Sequence, residues 1–415
     1  MSSLLNLSES FFEFIKAHQN DDVRELMLKY SSKIKEFPLD FAVTQIKCRK
    51  STRKKLSDFL HNDRFLFPAE LSGEQATDRL VAKYHARLIG RGKSVIDMTA
   101  GLGIDCMTAA AAGNTVTAIE IDRLKAECLS YNSKWLGIDN LSIINSDSIQ
   151  YLESHPEAKA DVLFIDPSRR DESNGRLYGL EDCSPDVVKH LGLLTSRADK
   201  IVIKASPMLD ITQVLNRLPE VTEIHIVCRN GECKEMLIIA DRNVEKSKSE
   251  AEITVADIDS DGNTSIRKFT AEELDSKRHK AEPQGFICNV DDIVSGKYLY
   301  DPNAGIHKLN ASAVLCRQYE GLQKLSPNTE LYISEKEYDN FPGRKFLITD
   351  IPDRKTLRRL KGLKYDVLTR NYTMSSEALR KKLNLKAGDD GKYIVGVKAG
   401  AKQMPIIIEC RKMPK

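Results

Sequence analysis

The stretch that decides the fold reads Val95-Ile96-Asp97-Met98-Thr99-Ala100-Gly101-Leu102-Gly103-Ile104-Asp105. An apolar segment ends at Asp97, a loop with two glycines follows, and an alanine-rich segment comes next. A strand, a glycine loop and a helix in this order are typical of a parallel sheet. The glycines let a ligand approach the backbone, and the helix N-terminus favours polar groups nearby. By itself the loop is weak evidence, because many doubly wound proteins contain one.

Six further apolar segments predict the rest of the sheet: Thr115–Ile121, Leu141–Ile144, Asp161–Ile165, Lys200–Lys204, Glu223–Cys228 and Glu235–Ala240. A short segment that contains Asn230-Gly231 separates the last two, and this dipeptide is a hairpin signal. Because so short a connection cannot cross over a sheet, the seventh strand is predicted to be antiparallel. The sequence therefore predicts an α/β, Rossmann-like sheet of six parallel strands and one antiparallel strand.

Acidic residues lie at three strand ends on the predicted carboxyl edge of this sheet. Glu120 follows the glycines by about 20 residues, where a carboxylate can accept hydrogen bonds from both hydroxyls of a ribose. Helix capping is the alternative role, although Asp122 is better placed for it. Asp147 ends the third unit, where its carboxylate could accept a hydrogen bond from an adenine amine. Together with Asp97, these acids favour a ligand that contains a nucleoside.

The fourth strand ends in Asp166-Pro167-Ser168-Arg169-Arg170, which places charge at the same edge of the sheet. Pro167 fixes its own φ and biases Asp166 toward extended geometry, which would aim the carboxylate into the cleft. Arg169 and Arg170 either bind a phosphate-bearing substrate or lie in solvent on a loop. Lys204, at the end of the fifth strand, is a further candidate site residue, but we expect it more simply to be a solvated strand end.

Together, the glycine loop, Glu120, Asp147, Asp166-Pro167 and the terminal hairpin resemble a class I S-adenosylmethionine-dependent methyltransferase. The likeness extends from about Phe65 to Arg242, and the antiparallel seventh strand distinguishes this family from nicotinamide dehydrogenases. The resemblance implies that S-adenosyl-L-methionine is the cofactor. It assigns as cofactor-binding residues Asp97, Thr99, Ala100, Gly101, Gly103, Asp105, Glu120, Asp147 and Thr77.

Two other segments resemble parts of known methyltransferases. Leu71 to Thr77, followed by a helix at Asp78–Ile89, is similar to the segment ahead of the glycine loop in trimethylguanosine-synthase-like RNA methyltransferases, where the Thr covers the cofactor. Residues 246–415 resemble the C-terminal part of a bacterial group of methyltransferases with a THUMP-like domain. That likeness depends on Tyr298-Leu299-Tyr300-Asp301-Pro302-Asn303-Ala304, Phe341-Pro342-Gly343-Arg344 and Ser376-Glu377-Ala378-Leu379-Arg380.

The mechanistic hypothesis is direct in-line methyl transfer, in which the enzyme mainly positions the nucleophile. Asp166, or the carbonyl beside it, would orient the attacking atom or accept its proton. The predicted catalytic residues are Asp166, Pro167, Ser168 and Arg169.

One departure from the family concerns the atom that is methylated. Enzymes of this class that methylate base amines commonly have Asp or Asn, two prolines and an aromatic residue at the fourth strand end, and the ring stacks on a flipped base. Here Ser168 follows a single proline. The sequence therefore disfavours methylation of a base amine unless Tyr178, Phe65 or Phe67 supplies the ring.

Charge is unevenly distributed along the 415 residues, although the formal net charge is only +3. We predict a helical N-terminal region (1–90), a methyltransferase core (91–245), a ferredoxin-like or mixed middle domain (246–340) and a basic THUMP-like α+β domain (341–415). The core has 17 Lys+Arg and 24 Asp+Glu, whereas the last domain has 19 and 7, a net charge of +12. A domain so basic fits a polyanionic partner.

Nucleic acid, most simply RNA, is the predicted partner, and a solubilising surface is the alternative. Within the last domain, one helix is predicted at Asp353–Leu363 and another begins at Ser375. A separate basic run at Lys47–Lys55 is either a solvated helix face or a nucleic-acid contact. The predicted nucleic-acid contacts are Arg170, Arg354, Lys355, Arg358, Arg359, Lys361, Arg380 and Lys381.

Composition excludes several other classes of protein. No apolar stretch approaches the ~18 residues of a membrane-spanning helix. The N-terminus lacks the basic region of a secretory signal and carries Glu9, so the protein is expected in the cytoplasm. Its nine scattered cysteines lack metal-ligand spacing, so we expect free thiols and no metal.

The sequence thus predicts an S-adenosylmethionine-dependent methyltransferase that acts on structured RNA, either tRNA or rRNA. Two alternatives stay open. One is a non-catalytic RNA-binding or assembly protein that retains the cofactor pocket, and the other is a methyltransferase for protein or small-molecule substrates. The sequence does not predict the oligomeric state.

Overall fold

The computed structural model describes residues 7–169, 179–275, 285–287, 289–388 and 390–414; the side chain of Arg169, and all of Arg170 and Tyr178, lie outside this description. The chain divides into two compact units. The first contains Met1–Arg229, Lys234–Ala251 and Ile258–Asn263, and the second contains Asn230–Cys233, Glu252–Asp257 and Thr264–Lys415. The domain boundaries predicted from the sequence stay predictions. No helix in the described ranges is long and apolar enough to cross a membrane.

The first unit begins with helices, as the sequence predicts: α1 (Glu9–Ala17), α2 (Val23–Tyr30), α3 (Leu39–Thr52), α4 (Ser57–Leu60), α5 (Glu70–Gln75) and α6 (Arg79–Ile89). Aromatic and aliphatic side chains of α1 and α3, among them Phe11, Phe12 and Ile46, are buried in a common core. The helices α2 and α6 each begin with an aspartate whose carboxylate accepts hydrogen bonds from backbone amides. Such caps satisfy amides that have no partner inside the helix.

The basic run at Lys47–Lys55 lies at the end of α3 and in the loop after it. Arg49 donates to two backbone carbonyl oxygens at 2.7 Å each, and Lys55 donates to one at 2.6 Å. Lys47 pairs with the carboxylate of Glu70. These bonds hold neighbouring segments together, and the choice between a solvated helix face and a nucleic-acid contact for the rest of the run stays open.

Seven strands at the centre of the first unit belong to one sheet: β1 (Ser94–Asp97), β2 (Thr115–Glu120), β3 (Leu141–Asn145), β4 (Ala160–Ile165), β5 (Ala198–Ala205), β6 (Val221–Arg229) and β7 (Glu232–Asp241). Their order is β3-β2-β1-β4-β5-β7-β6. β1 to β5 pair in parallel, and β7 runs antiparallel to β5. The predicted Rossmann-like sheet with an antiparallel seventh strand is confirmed. The order reverses between β1 and β4, which is where open sheets of this kind bind ligands.

Helices connect the parallel strands: α7 (Ile104–Ala111), α8 (Arg123–Trp135), α9 (Ser148–Ser154), α10 (Val187–Arg197) and α11 (Ile211–Arg217). An aspartate caps each of the last four and accepts a hydrogen bond from a backbone amide. The apolar side chains of β4 from Val162 to Ile165 are buried without alternation. Continuous burial is typical of a central strand that helices cover on both faces. Beyond β4, Ser168–Arg169 and Cys183–Ser184 form a two-residue antiparallel pair.

The remaining strands are β8 (Glu252–Ile258), β9 (Thr264–Thr270), β10 (Tyr298–Pro302), β11 (Gln323–Ser326), β12 (Thr329–Ser334), β13 (Gly343–Asp350), β14 (Lys364–Arg370), β15 (Lys392–Ala399) and β16 (Met404–Lys412). The helices of the second unit are α12 (Ala271–Leu274), α13 (Ala304–Leu309), α14 (Ser312–Gln318), α15 (Arg354–Arg359) and α16 (Ser376–Leu383). From β10 onward the strands form one sheet in the order β11-β12-β10-β13-β16-β15-β14, with Lys386–Ala387 at the β14 edge. Leu299, Phe346 and Val395 are buried in its core. Short 3-10 turns occur at Leu180–Asp182, Lys248–Glu250 and Val290–Asp292.

Candidate cofactor and active site

The glycine loop after β1 adopts a backbone conformation that residues other than glycine rarely adopt. Gly101 and Gly103 have φ angles of +56° and +87°. A Cβ atom at position 103 would lie 2.1 Å from Cδ1 of Leu129 on α8. The first turn of α7 follows directly, and its amide groups favour polar or anionic ligand groups. The loop therefore brings uncovered backbone to the carboxyl edge of the sheet.

Glu120, at the end of β2, anchors this loop. Its buried carboxylate accepts hydrogen bonds from the amides of Gly101 at 2.7 Å and Asp122 at 2.8 Å. A carboxylate has about four lone-pair sites, so two acceptor sites remain for ribose hydroxyls. The next residue, Ile121, is 68% exposed. The sequence analysis missed this exposed apolar side chain, which suits the flat face of an adenine ring.

Asp97 and Thr99 hold the loop against the end of β4. Asp97 is 2% exposed and accepts a hydrogen bond from the Thr99 amide at 3.1 Å. The Thr99 hydroxyl oxygen accepts one from the Asp166 amide at 2.7 Å. Burial raises the pKa of Asp97 to about 8, so its carboxyl group is largely neutral at pH 7. Both residues therefore hold the glycine loop against the sheet. Their contact with a cofactor stays a prediction.

Asp147 and Ala100 are two further residues that the resemblance assigns to the cofactor site. Asp147 caps α9 by accepting a hydrogen bond from the Gln150 amide at 2.9 Å through Oδ1. Its Oδ2 atom is the candidate acceptor for an adenine amine. Ala100 is buried in the glycine loop, and its amide donates to the carbonyl oxygen of Ile119 at 3.0 Å. A role for either residue in cofactor binding stays a prediction.

Lys204, at the end of β5, lies among carboxylates at the centre of the site. Its Nζ atom is 2.6 Å from Asp166 Oδ2, 3.7 Å from Asp105 Oδ2 and 3.9 Å from Glu235 Oε2. It also donates to the Thr77 hydroxyl at 3.0 Å. Burial would lower the Lys204 pKa, but these three carboxylates raise it above the ordinary value for lysine. The expectation that Lys204 is a solvated strand end is wrong, because its side chain is only 10% exposed.

His85 is a second buried cation of this network, and the sequence analysis missed it. Its Nδ1 atom lies 2.7 Å from Asp105 Oδ1, and its Nε2 atom contacts Glu235. The imidazole is 1% exposed, and both ring nitrogens face carboxylates. Burial would lower the His85 pKa, but Glu235 and Asp105 outweigh it and raise that pKa to about 9. We therefore assign His85 as an imidazolium that donates to both carboxylates.

Thr77 and Asp105 belong to separate predicted motifs, and the structure brings them together. The Thr77 hydroxyl donates to Asp105 Oδ2 at 2.6 Å. Burial would raise the pKa of Asp105, but Lys204 and His85 hold it well below the ordinary value. The Thr77 hydroxyl and the Asp105 carboxylate thus already bond to each other, to His85 and to Lys204 within the protein. Whether either residue touches a cofactor stays a prediction, and the network alone gives them a structural role.

Asp166 is the member of the network that faces solvent. Its side chain is 45% exposed, while Lys204 fixes one of its oxygens from the buried side. Ser168 begins a two-residue strand after Pro167, and the Ser168 hydroxyl lies 3.5 Å from the carbonyl oxygen of Ser184. Asp166 is therefore the exposed carboxylate of this network, and its predicted role toward a methyl acceptor stays a prediction. The roles predicted for Pro167, Ser168 and Arg169 stay predictions.

Two of the three rings proposed to stack on a base cannot do so. Phe65 and Phe67 are 1% and 0% exposed, and their ring centroids are 5.2 Å apart in the core. The suggestion that either ring stacks on a substrate base is wrong for this reason. Tyr178, the third candidate, lies outside the described residues.

A cavity of about 630 Å³ lies at the other edge of the sheet, where β5 and β6 begin and β7 ends. Charged side chains such as Asp199, Asp241 and Arg242 line it. Arg242 pairs with Asp199. Because these residues lie at the strand ends opposite Asp97 and Glu120, the cavity is not part of the candidate site.

The predicted basic contacts of the second unit lie on α15 and α16, except Lys361, which lies in the turn after α15. Leu357 and Leu360 from one helix and Leu379 and Leu383 from the other pack in one apolar cluster, so both helices cover the same face of the sheet. The side chains of Arg354, Lys355, Arg358, Arg359, Lys361 and Lys381 are exposed, whereas Arg380 is half-buried.

The C-terminal ends of α15 and α16 adjoin. The Gly362 amide donates to the Asn384 carbonyl oxygen at 2.8 Å, and the Lys386 amide donates to that of Leu363 at 2.9 Å. Gly362 has a φ of +82°, which ends α15 at Arg359 rather than at Leu363 as predicted. The lysines and arginines near these two C-terminal helix ends therefore form one basic surface. Arg170, the remaining predicted contact, lies outside the described residues.

No group of three or more metal-ligating side chains is found among the residues that the structure describes. The eight cysteines within the described ranges form no disulfide, and Cys288 lies outside them.

Comparisons with known proteins agree with this architecture. Residues 298–342 match the model of a ferredoxin-like domain, and residues 343–412 match a THUMP domain-like model. A candidate methyltransferase from Porphyromonas gingivalis W83 matches with a TM-score of 0.80 and 26% identity over 98% of both chains. An uncharacterized RNA methyltransferase of Mycoplasma mobile is 26% identical over 150 residues, which are 35% of this chain. The matched part spans only 40% of that relative's length.

Proposed function

We propose that this chain, a class I methyltransferase with a C-terminal THUMP-like domain, transfers a methyl group from S-adenosyl-L-methionine to structured RNA, either tRNA or rRNA. The observation that carries the proposal is the combination of two features in one chain. One is a Rossmann-like sheet whose carboxyl edge has a glycine loop and Glu120. The other is a THUMP-like domain with a net charge of +12 over residues 341–415. Its basic surface gives the polyanion a place to bind.

The glycine loop and Glu120 fit the proposed cofactor. The positive φ angles of Gly101 and Gly103 leave backbone uncovered for the methionine portion, and Glu120 keeps acceptor sites for the ribose. When bound, S-adenosyl-L-methionine supplies a methyl group that its sulfonium already activates. The protein then has to orient the acceptor atom and remove its proton.

Asp166 would carry out this second task. One of its oxygens is held by Lys204 at 2.6 Å, and the side chain is 45% exposed. A carboxylate fixed from one side can accept a hydrogen bond from the acceptor group with the other oxygen. Lys204 and His85 act through Asp166 and its neighbours, so we assign them as positioning residues.

Mass spectrometry of nucleosides tests the proposal. RNA from cells that lack the gene is compared with RNA from cells complemented with the wild type, with Asp166→Asn or with Asp139→Asn. Asp139 is exposed and provides a matched exchange of an acid for an amide. We expect one methylated nucleoside to disappear in the deletion strain and to return with the wild type and Asp139→Asn only. Identical nucleoside profiles in all strains, with a methylated protein or small molecule lost instead, would contradict the RNA assignment.

A further inference from the structure

A buried carboxylate in the second unit holds two arginines and a histidine. Asp301, on β10, is 1% exposed. It accepts hydrogen bonds from Arg344 Nε at 3.1 Å and from Arg370 Nε at 3.1 Å, and each guanidinium adds a second bond through Nη2. His307 Nε2 lies 3.2 Å from the same carboxylate. These five contacts fully use the roughly four lone-pair sites of one carboxylate, so some of them share a site.

The strand positions explain why these side chains meet. Asp301 is paired with Arg344 across β10 and β13. Asp301, Arg344 and Arg370 are each two residues from a core residue of their own strand, namely Leu299, Phe346 and Leu368. Side chains two apart in a strand share a face. The four polar groups therefore close one end of the apolar core of this sheet.

Gly343 shows how closely the two strands approach at this point. A Cβ atom there would lie 2.1 Å from the carbonyl oxygen of Asp301. Tyr298–Ala304 and Phe341–Arg344, two of the stretches on which the likeness to THUMP-like methyltransferases depends, thus form one contact between neighbouring strands. The first stretch supplies the carboxylate, and the second supplies the glycine and the arginine that contact it.

The charge of this cluster is not balanced. Two guanidinium groups share one carboxylate, which leaves a net charge of about +1 before His307 is counted. The Tyr393 hydroxyl interacts with both Asp366 and Arg344, and no ion pair of Asp366 with Arg344 or Arg370 is found among the described residues. Burial would raise the pKa of Asp301, but His307, Arg370 and Arg344 lower it to about 2. Asp301 is therefore a fixed anion, and the surplus positive charge persists at all physiological pH values.

The two guanidinium groups remain accessible although they are held in place. Each arginine side chain is 36% exposed, whereas a role limited to filling the end of the core would favour full burial. Each guanidinium has five N–H donors, and Asp301 uses two of them per arginine. A guanidinium that is already oriented loses little entropy when it binds a planar or tetrahedral oxyanion.

We propose that Arg344 and Arg370 form a binding site for one phosphate group, with Asp301 as the residue that orients both. The identification of this phosphate as part of an RNA backbone rests on the proposed function. The site adds a fixed anchor to the exposed basic surface of α15 and α16. A rigid phosphate contact fixes the register of a nucleic acid without reading its sequence.

Binding of a fluorescein-labelled 20-nucleotide RNA hairpin to the full chain tests this site. The variants are Arg344→Gln, Arg370→Gln and Arg370→Lys, and Lys336→Gln is the control. Lys336 is exposed in the same unit and loses the same charge. We expect each Arg→Gln exchange to raise the Kd about 10-fold and to lower the slope of log K against log salt by about 1. Arg370→Lys keeps the charge and loses the fork, so we expect a smaller increase in Kd with an unchanged slope.

Competition by inorganic tripolyphosphate identifies the chemistry that is recognised. We expect tripolyphosphate to displace the hairpin from the wild type more effectively than from Arg370→Gln. Thermal melting establishes that each variant is folded. If Arg370→Gln has a lowered Tm, the Kd of Arg370→Lys is used in its place. Folded arginine variants that bind RNA like Lys336→Gln would overturn the inference.

The outcomes separate this inference from the proposed function. If the hairpin binds in an arginine-dependent way but no RNA is ever methylated, the phosphate site stands and the proposed function fails. If RNA is methylated and the arginine variants bind and react like the wild type, the proposed function stands and the phosphate site fails.

Discussion

At the carboxyl edge of the first unit, buried cations and carboxylates stabilise one another in their ionised forms. Lys204 is 10% exposed and can remain an ammonium there because Asp166, Asp105 and Glu235 surround it. Removing such a cation leaves carboxylates that repel one another in a desolvated place, which is costly. The arrangement keeps Asp166 in position while the interior of the site stays close to neutral.

The exchange Lys204→Met should therefore destabilise the protein by about 3–5 kcal/mol, because it leaves uncompensated buried carboxylates. Lys93→Met is the matched control, since Lys93 is 47% exposed and lies 3.7 Å from Asp161. A surface pair of this kind contributes about 0–1 kcal/mol. Urea unfolding measures both values. Equal losses in the two variants would show that the buried network does not stabilise the fold.

His85 makes the stability of the protein depend on pH. Its pKa of about 9 in the folded protein lies above the ordinary value of 6.5. A base whose pKa is raised by folding contributes its full stabilisation below pH 6.5, and that contribution is lost as the pH rises through 9. The difference in unfolding free energy between the wild type and His85→Gln should thus shrink by about 3 kcal/mol between pH 6 and pH 10. A difference that stays constant over this range would show that His85 is neutral when folded.

Single residues were the hardest feature to predict from the sequence. The position of Asp166 at the carboxyl edge could be predicted because it follows an apolar strand directly. His85 lies in the middle of α6 and Glu235 near the start of β7, far from Asp105 in the chain, and no local pattern marks their contact. The expectation for Lys204 failed for the same reason, since its burial depends on partners from four separate segments.

The elements around the glycine loop are joined by close packing as well as by hydrogen bonds. Position 103 has no room for a side chain because Leu129 of α8 fills the space. This contact fixes the loop relative to α8 and therefore to Glu120, which lies three residues ahead of that helix. The position of the predicted ribose acceptor thus depends on a glycine that the cofactor itself need not touch.

Two glycine exchanges separate backbone strain from this packing. Gly103→Ala should cost about 2–4 kcal/mol, since the methyl group meets Leu129 and the residue keeps a positive φ. Gly113→Ala should cost only about 1 kcal/mol, because Gly113 has a φ of +94° with no atom within 4 Å of the added Cβ. Unfolding free energies and the Kd for S-adenosyl-L-methionine give the comparison. Similar losses for both variants would mean that packing against α8 contributes nothing.

The basic ends of α15 and α16 should act together on RNA. The double exchange Arg358→Gln with Lys381→Gln should lower the slope of log K against log salt by about 2, because two phosphate contacts are lost. Lys33→Gln with Lys35→Gln removes the same charge from exposed positions in the first unit. That control should leave RNA binding unchanged within about twofold. Equal effects of the two double variants would indicate that binding responds only to total charge.

Strands and helices could be predicted from the sequence more accurately than the contacts of single side chains. The strands of the Rossmann-like sheet are short apolar runs, and the connection through Asn230-Gly231 is too short for a crossover, so their direction could be inferred. Helix ends were less predictable. α15 ends at Arg359 and not at the predicted Leu363, and Gly362, with its positive φ, is a local stop signal that the prediction did not use.

At the scale of the whole molecule, opposite charges are separated along the chain. Residues 91–245 have 17 Lys+Arg and 24 Asp+Glu, whereas residues 341–415 have 19 and 7. An acidic core disfavours non-specific contact with a polyanion, and a basic domain favours it. RNA would thus be bound mainly by the C-terminal domain, and the catalytic edge would contact the nucleotide that reacts.

The central claim is that this chain transfers methyl groups to RNA, and transfer of tritium from S-adenosyl-L-[methyl-³H]methionine tests it most directly. Purified protein is incubated with total RNA or with protein extract from cells that lack the gene, and Asp166→Asn and Asp139→Asn are compared with the wild type. We predict that label enters RNA with the wild type and Asp139→Asn, and that Asp166→Asn lowers the rate about 100-fold or more while its Kd for the cofactor stays within twofold. Label that enters protein instead of RNA, or an undiminished rate with Asp166→Asn, would contradict the account.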